Sequence, residues 1–177
     1  MSFEGKQRTL FLVAVGFALN FIMGVAGSIF PPESLLQMMC WQIGDTMALM
    51  ACVLSARYLS DRNFVFSSDG FNVLAIAYGV SFASSSLNAV NEDVMASVAL
   101  PLVPALCIIG TCALFPMWLR IVTAAAGIPF LFIYKNVIQE TYHHDNPSNA
   151  IAYIGLQTLG LLWTYYFYLD NRKTKLA

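Results

Sequence analysis

Apolar positions fall in long blocks rather than in amphipathic stripes. Six blocks can be marked: Thr9–Phe30, Leu35–Leu59, Phe71–Val90, Val94–Phe115, Met117–Ile138 and Asn149–Leu169. Each is close to the roughly 20 residues that a helix needs to cross a bilayer core. The gaps between them carry stop signals. Pro31-Pro32 ends the first block, SDRNFVFSSDG follows the second, and Asn91-Glu92-Asp93 closes the third. Pro116 separates the fourth from the fifth, and QETYHHDNPS leads into the sixth, where Ser148 or Asn149 is a candidate cap. The pattern predicts an all-α membrane protein. It is a single transmembrane domain over residues 1–177, built as a bundle of six transmembrane helices, with no internal repeat.

Charge sets an orientation. Lys6 and Arg8 precede the first helix, Arg57 and Arg62 end the second, Arg120 follows the fourth, and Arg172, Lys173 and Lys175 follow the sixth. Only Lys135 falls on the opposite side, so the count is eight against one. The positive-inside rule then places both termini in the cytoplasm. Trp163, Tyr165, Tyr166 and Tyr168 cluster at the cytoplasmic end of the sixth helix, where an interfacial aromatic belt belongs.

Composition strengthens this picture. Of 177 residues, 58% are apolar and 11% charged, with a mean hydropathy of +0.66. Those charges are too few to coat a water-soluble globule, so the implied partner is the lipid bilayer. A net charge of −1 supplies no basic field for nucleic acid. Cys40, Cys52, Cys107 and Cys112 all sit inside apolar blocks without a CxxC pair, which predicts reduced, buried thiols. The charged start MSFEGKQR precedes an apolar run too long for a signal h-region and lacking a cleavage motif, so no cleavable signal is expected.

Candidate chemistry centres on the second block, LLQMMCWQIGDTMALMACVLSARYL. Asp45 lies near its middle, close to the hydrocarbon centre. A carboxylate there costs roughly 2.5–3.5 kcal/mol on insertion scales, and such groups usually face a bundle interior or a cavity. On the first helix Gly16, Asn20, Gly24 and Gly27 recur at helical spacing, a stripe that lets backbones approach closely. The second helix has a matching stripe, Gly44, Ala48 and Cys52, beside Gln42, Asp45 and Leu49. Counted from the cytoplasmic ends, Asn20 and Asp45 reach one level in antiparallel neighbours, which predicts an Asn20–Asp45 hydrogen bond. Its bland role is packing; its functional role is to frame a carboxylate that binds a cation, a proton or a polar ligand.

Weaker signals lie at similar depth. The third helix carries Ser81, Ser84 and Asn88 on one face with Tyr78, although serines in membrane helices often bond back to the preceding turn. Pro101 and Pro104 should kink or break the fourth helix, a distortion best buried against protein or lining a cavity. Gly127 and Pro129 weaken the fifth, and Gln157 and Thr158 lie near the centre of the sixth. Together they predict a cavity that opens outward and is floored near Asp45. The ligand- or ion-binding set is therefore Asp45, Asn20, Gln42, Ser81, Ser84, Asn88 and Gln157.

Enzyme signatures are missing. His143 and His144 share an outer loop with Asp145, which reads as solvated rather than as a metal site. No histidine lies inside a block to ligate haem, and there is no HExxH or GxSxG. No catalytic residue, metal or cofactor can be assigned.

Three functional readings follow. The first is a small-solute or ion carrier, a channel or a membrane-embedded substrate-binding subunit, with its site at Asp45. In size and helix number the chain is similar to the substrate-binding subunits of energy-coupling vitamin transporters. Ala14 and Ala18 supply a small pair of the kind such subunits use to dock a partner. The resemblance rests on length, helix number and that pair. The second reading is a structural or regulatory subunit of a larger membrane complex, with the small stripe of the first helix meeting a partner. The third is a membrane sensor or enzyme without a recognisable motif. A homo-oligomer or an assembly with other membrane subunits suits the first two, and a bacterial inner membrane is the expected location.

Overall fold

The computed structural model describes residues 3–31, 34–86, 92–141 and 147–176. Among these the chain is helical, without strands: α1 (Phe3–Ile29), α2 (Leu35–Ser60), α3 (Val65–Ser86), α4 (Glu92–Gly110), α5 (Met117–Ala125), α6 (Ile128–Ile138) and α7 (Pro147–Leu176). Three stretches are long and apolar enough to cross a membrane: Gly5–Ile29, Leu35–Ser60 and Met117–Ile138, the last formed by α5 and α6 together. Val98–Gly110 is a shorter apolar helix. The remaining helices are diluted by polar residues. α3 includes Ser67, Ser68, Asp69 and Asn72, and α7 ends in a charged turn from Asp170 to Lys175.

Each helix from α1 to α4 packs on the next, α5 and α6 both lie against α4, and α7 closes the circuit by lying against α1 and α6. Glycines mark the close approaches. A Cβ on Gly16 would lie 2.8 Å from both the Ala51 Cβ and the Met47 carbonyl, and one on Gly27 would strike the Trp41 indole. α1 and α2 are therefore antiparallel, held at a separation that only small residues permit. Ser68 Oγ donates to the Ala56 carbonyl at 2.8 Å near one end of α2 and α3, and Ser81 meets Asp45 farther along. Gly24 faces Gln157 while Gly160 faces Phe17, so α7 runs antiparallel to α1.

Apolar side chains occupy both the inside and the outside. Phe17, Leu59, Phe71, Leu74, Leu106, Phe130 and Trp163 are buried, whereas Phe11, Ile22, Leu35, Ile76, Ile121, Phe132 and Ile151 are each more than half exposed. A surface of that kind is stable against lipid and unstable against water.

The end that holds the start of α1 and the end of α7 is tightly tied. Trp163 packs edge-on against Phe17 and Phe71, with ring centroids 6.1 and 5.1 Å away, and its Nε1 donates to Thr123 Oγ1 at 3.1 Å. Phe167 is ringed by Tyr58, Phe71 and Phe115. Arg62, in the turn after α2, holds Asp170 of α7 at 2.6 Å, and the Tyr58 hydroxyl donates to the same carboxylate at 2.7 Å. The bond to Asp170 raises the Arg62 guanidinium above its ordinary value, so this clamp keeps its cation at every working pH.

Several expected boundaries move. α3 begins six residues before its apolar block, because Ser67 and Ser68 are buried and the Ser68 hydroxyl finds a carbonyl on α2. Asn63, at φ 64°, makes the reversal into it tight enough. α4 ends at Gly110 and not at Phe115. Arg120 Nε donates to the freed Gly110 carbonyl at 3.0 Å. Pro101 and Pro104 lie inside α4 without ending it, and Pro104 is exposed rather than buried against protein. The fifth block does break where glycine and proline weaken it. Gly127 N–H turns back to the Ala124 carbonyl at 3.1 Å, and Pro129 restarts the chain in the first turn of α6. Ser148 and Asn149 fall inside α7, which starts at Pro147, so neither caps it. Cys52 and Cys112 are buried as expected, but Cys107 is exposed on the bundle surface.

Candidate functional site

The geometry around Asp45 is set by the residue before it. Gly44 is buried against α1, where the Asn20 side-chain amide donates to the Gly44 carbonyl at 3.1 Å. Successive helical residues are turned about 100° apart, so with Gly44 on α1 the Asp45 side chain swings towards α3. There Ser81 Oγ donates to Asp45 Oδ2 at 2.6 Å, a length typical of a hydroxyl bonded to a carboxylate.

Asp45 and Ser81 line a small cavity with Ala77 and Tyr78 of α3, Val98 and Leu102 of α4, and Tyr153 and Leu156 of α7. Four helices thus meet at the carboxylate. Tyr78, Leu102 and Leu156 form a buried side, while Asp45, Ser81 and Tyr153 keep partial exposure. The cavity gives about 10 Å³ to the centre of a water-sized sphere. That is the space of one water, far below the roughly 300–1,000 Å³ of a site for an organic ligand. Among the described residues, no Lys, Arg or His side chain lines it.

The expected polar set divides. Asp45 and Ser81 come together. Asn20 reaches the predicted level but bonds to Gly44, not to Asp45, because the two neighbours on α2 point to different helices. Gln157 of α7 lies over Gly24 of α1, outside the lining of the cavity. Asn20 Oδ1 and Gln157 Oε1 are buried acceptors without a hydrogen-bond partner among the described residues. Ser84 turns away and donates to the Val80 carbonyl at 2.8 Å. Gln42 is half-buried on the turn before Asp45, and its carbonyl accepts from Thr46 at 2.8 Å. Asn88, His143, His144 and Asp145 lie outside the described residues. Among the described residues no group of His, Cys, Asp and Glu could hold a metal ion.

Tyr153 was not anticipated. It lies four residues before Gln157 on α7, so a search for polar groups at helical spacing from Gln157 would have reached it.

Compared with known proteins, the chain matches no family model, no curated protein and no solved structure. The similarity to vitamin-transporter binding subunits therefore gains no support beyond length and helix number, and every functional statement rests on the geometry at Asp45.

Proposed function

We propose that this chain is a multi-pass membrane protein with six spans and cytoplasmic termini, and that it binds and passes a small ion at Asp45. One observation carries the reading: a carboxylate in a potential span, bonded to a hydroxyl on the next helix, lines a one-water cavity among four helices. Intramembrane carboxylates of this kind mark ion and proton pathways. The cavity volume favours an ion over an organic solute. The small stripe of the first helix does not favour the alternative of a ligand-free structural subunit, because Gly16, Gly24 and Gly27 are covered by α2 and α7 of the same chain.

The test is transport by the purified chain in liposomes under separate Na⁺, K⁺ and H⁺ gradients. Flux of one ion is expected, with loss of at least 90% (about tenfold) in Asp45→Asn, as for removal of an essential ion-binding group. Equal flux in both proteins would remove Asp45 from the function. Topology is tested by Asp61→Cys and Gln139→Cys in a background without native cysteines. Only the second should react with an impermeant maleimide applied outside cells.

A further inference from the structure

We infer that the ion held at Asp45 is the proton, and that Ser81 reverses its hydrogen bond each time the proton arrives or leaves. The inference rests on the proposed role of Asp45 and names its substrate. A hard metal cation takes roughly six oxygen ligands, and it must find replacements for its waters before it leaves them. Among the described residues the lining offers the two Asp45 oxygens and the hydroxyls of Ser81, Tyr78 and Tyr153; all else is aliphatic. With room for one water, the cavity cannot admit a cation together with part of its hydration shell. A proton needs one lone pair and no added volume.

Every group facing Asp45 is compatible with that occupant. α3 contributes Tyr78 and α7 contributes Tyr153, both phenols. α2 itself contributes Cys52, buried near Tyr78, and α4 contributes Val98 and Leu102. α1 faces the preceding residue through the Asn20 amide. None of these carries a positive charge that would hold the carboxylate permanently ionised. Among the described residues the proton is therefore the one available neutralising charge.

Ser81 can serve both states. With Asp45 ionised, the Ser81 hydroxyl donates to Oδ2, the arrangement seen at 2.6 Å. When hydronium in the cavity gives up its proton, a new O–H bond forms on the carboxylate, and the hydronium is left as water. The acid now donates to Ser81 Oγ. The Ser81 hydrogen then turns to the Ala77 carbonyl one turn back, the type of bond that Ser84 already makes to Val80 at 2.8 Å. Deprotonation retraces these steps. No oxidant, reductant or further partner is required, and the bond between α2 and α3 persists with its direction inverted.

The experiment uses the full chain in liposomes and two readouts. A hydrophobic carbodiimide reacts with a protonated carboxyl, and its adduct on Asp45 is followed by peptide mass spectrometry against pH, with and without Na⁺ or K⁺. Proton flux is followed in the same vesicles by an internal pH dye. The expected result is labelling of Asp45 that falls as pH rises, is unchanged by Na⁺ or K⁺, and accompanies a proton flux lost in Asp45→Asn. Ser81→Ala removes a charge-assisted bond to the ionised form and a weaker neutral bond to the acid, so its labelling profile should move to higher pH by less than about one unit; Ser81→Thr should restore it. Protection by Na⁺ or K⁺ would overturn the proton while leaving Asp45 as an ion site. Labelling that does not vary with pH would overturn proton exchange even if another ion is carried. Absence of any Asp45-dependent flux would instead remove the transport reading itself. A shift well beyond one unit in Ser81→Ala, the mark of a hydroxyl that serves the ionised form alone, would overturn the reversal at Ser81, as would no shift, the mark of one that favours neither form.

Discussion

The two halves of the bundle solve the burial problem in opposite ways. Around Trp163 large rings fill the space, and most polar groups pair: indole to Thr123, Arg62 and Tyr58 to Asp170, Arg120 to the end of α4, with the Ser55 hydroxyl left without a partner among the described residues. Around Asp45 the residues are smaller, a cavity remains, and two amide oxygens, on Asn20 and Gln157, lack donors among the described residues. Each unsatisfied buried acceptor costs about 1–3 kcal/mol. The aromatic end is thus held by paired polar groups and rings, and the Asp45 end less completely.

That contrast is broken most strongly at the aromatic end. Trp163→Ala should lower stability by about 3–5 kcal/mol, because it opens a large void and orphans the Thr123 hydroxyl. Thermal unfolding in detergent measures the loss, and a change under 1 kcal/mol would refute the role given to the ring cluster. At the α1–α2 seam, Gly16→Ala should cost about 1–3 kcal/mol, since its Cβ would meet a backbone carbonyl and the helices must separate. Gly24→Ala meets only the movable amide of Gln157 and should cost clearly less in the same assay. Arg62→Ala should cost about 1 kcal/mol, as expected for a partly exposed pair that leaves Asp170 with Tyr58. Because Arg62 is raised and not lowered, its contribution is complete below its unfolded-state value and lost only above its folded one. The Arg62→Ala deficit should thus be constant from about pH 6 to 9, where an arginine stays charged. A deficit that varies across that interval would show that another group titrates with the clamp. The smallest effect belongs to Ser84→Ala, within about 0.5 kcal/mol, since that hydroxyl serves only its own helix. A loss of ion flux in Ser84→Ala would place it in the pathway beside Ser81.

Much of the layout was legible in the linear pattern. Apolar blocks and their prolines located the helices, and Gly127 with Pro129 marked the break between α5 and α6. Counting from the charged ends brought Asn20 to the turn of α2 that holds Asp45. The early start of α3 escaped notice, because Ser67 and Ser68 look like loop residues until a neighbouring helix offers them burial and a carbonyl. Pro101 and Pro104 promised a disruption that α4 absorbs.

By itself, the sequence determined depth. Each helical residue advances about 1.5 Å along its axis, so a position in a block is a height in the bundle, and Asp45 had to lie midway along α2. Direction was decided only by the tertiary structure. One residue along a helix turns the side chain by about 100°, and only the arrangement of neighbouring helices says what lies on each side. Thus Gly44 received Asn20 and Asp45 received Ser81, while Gln157 at a similar height went to the α1 seam and Tyr153 to the cavity. Height is additive along one chain; facing depends on all the packed helices at once.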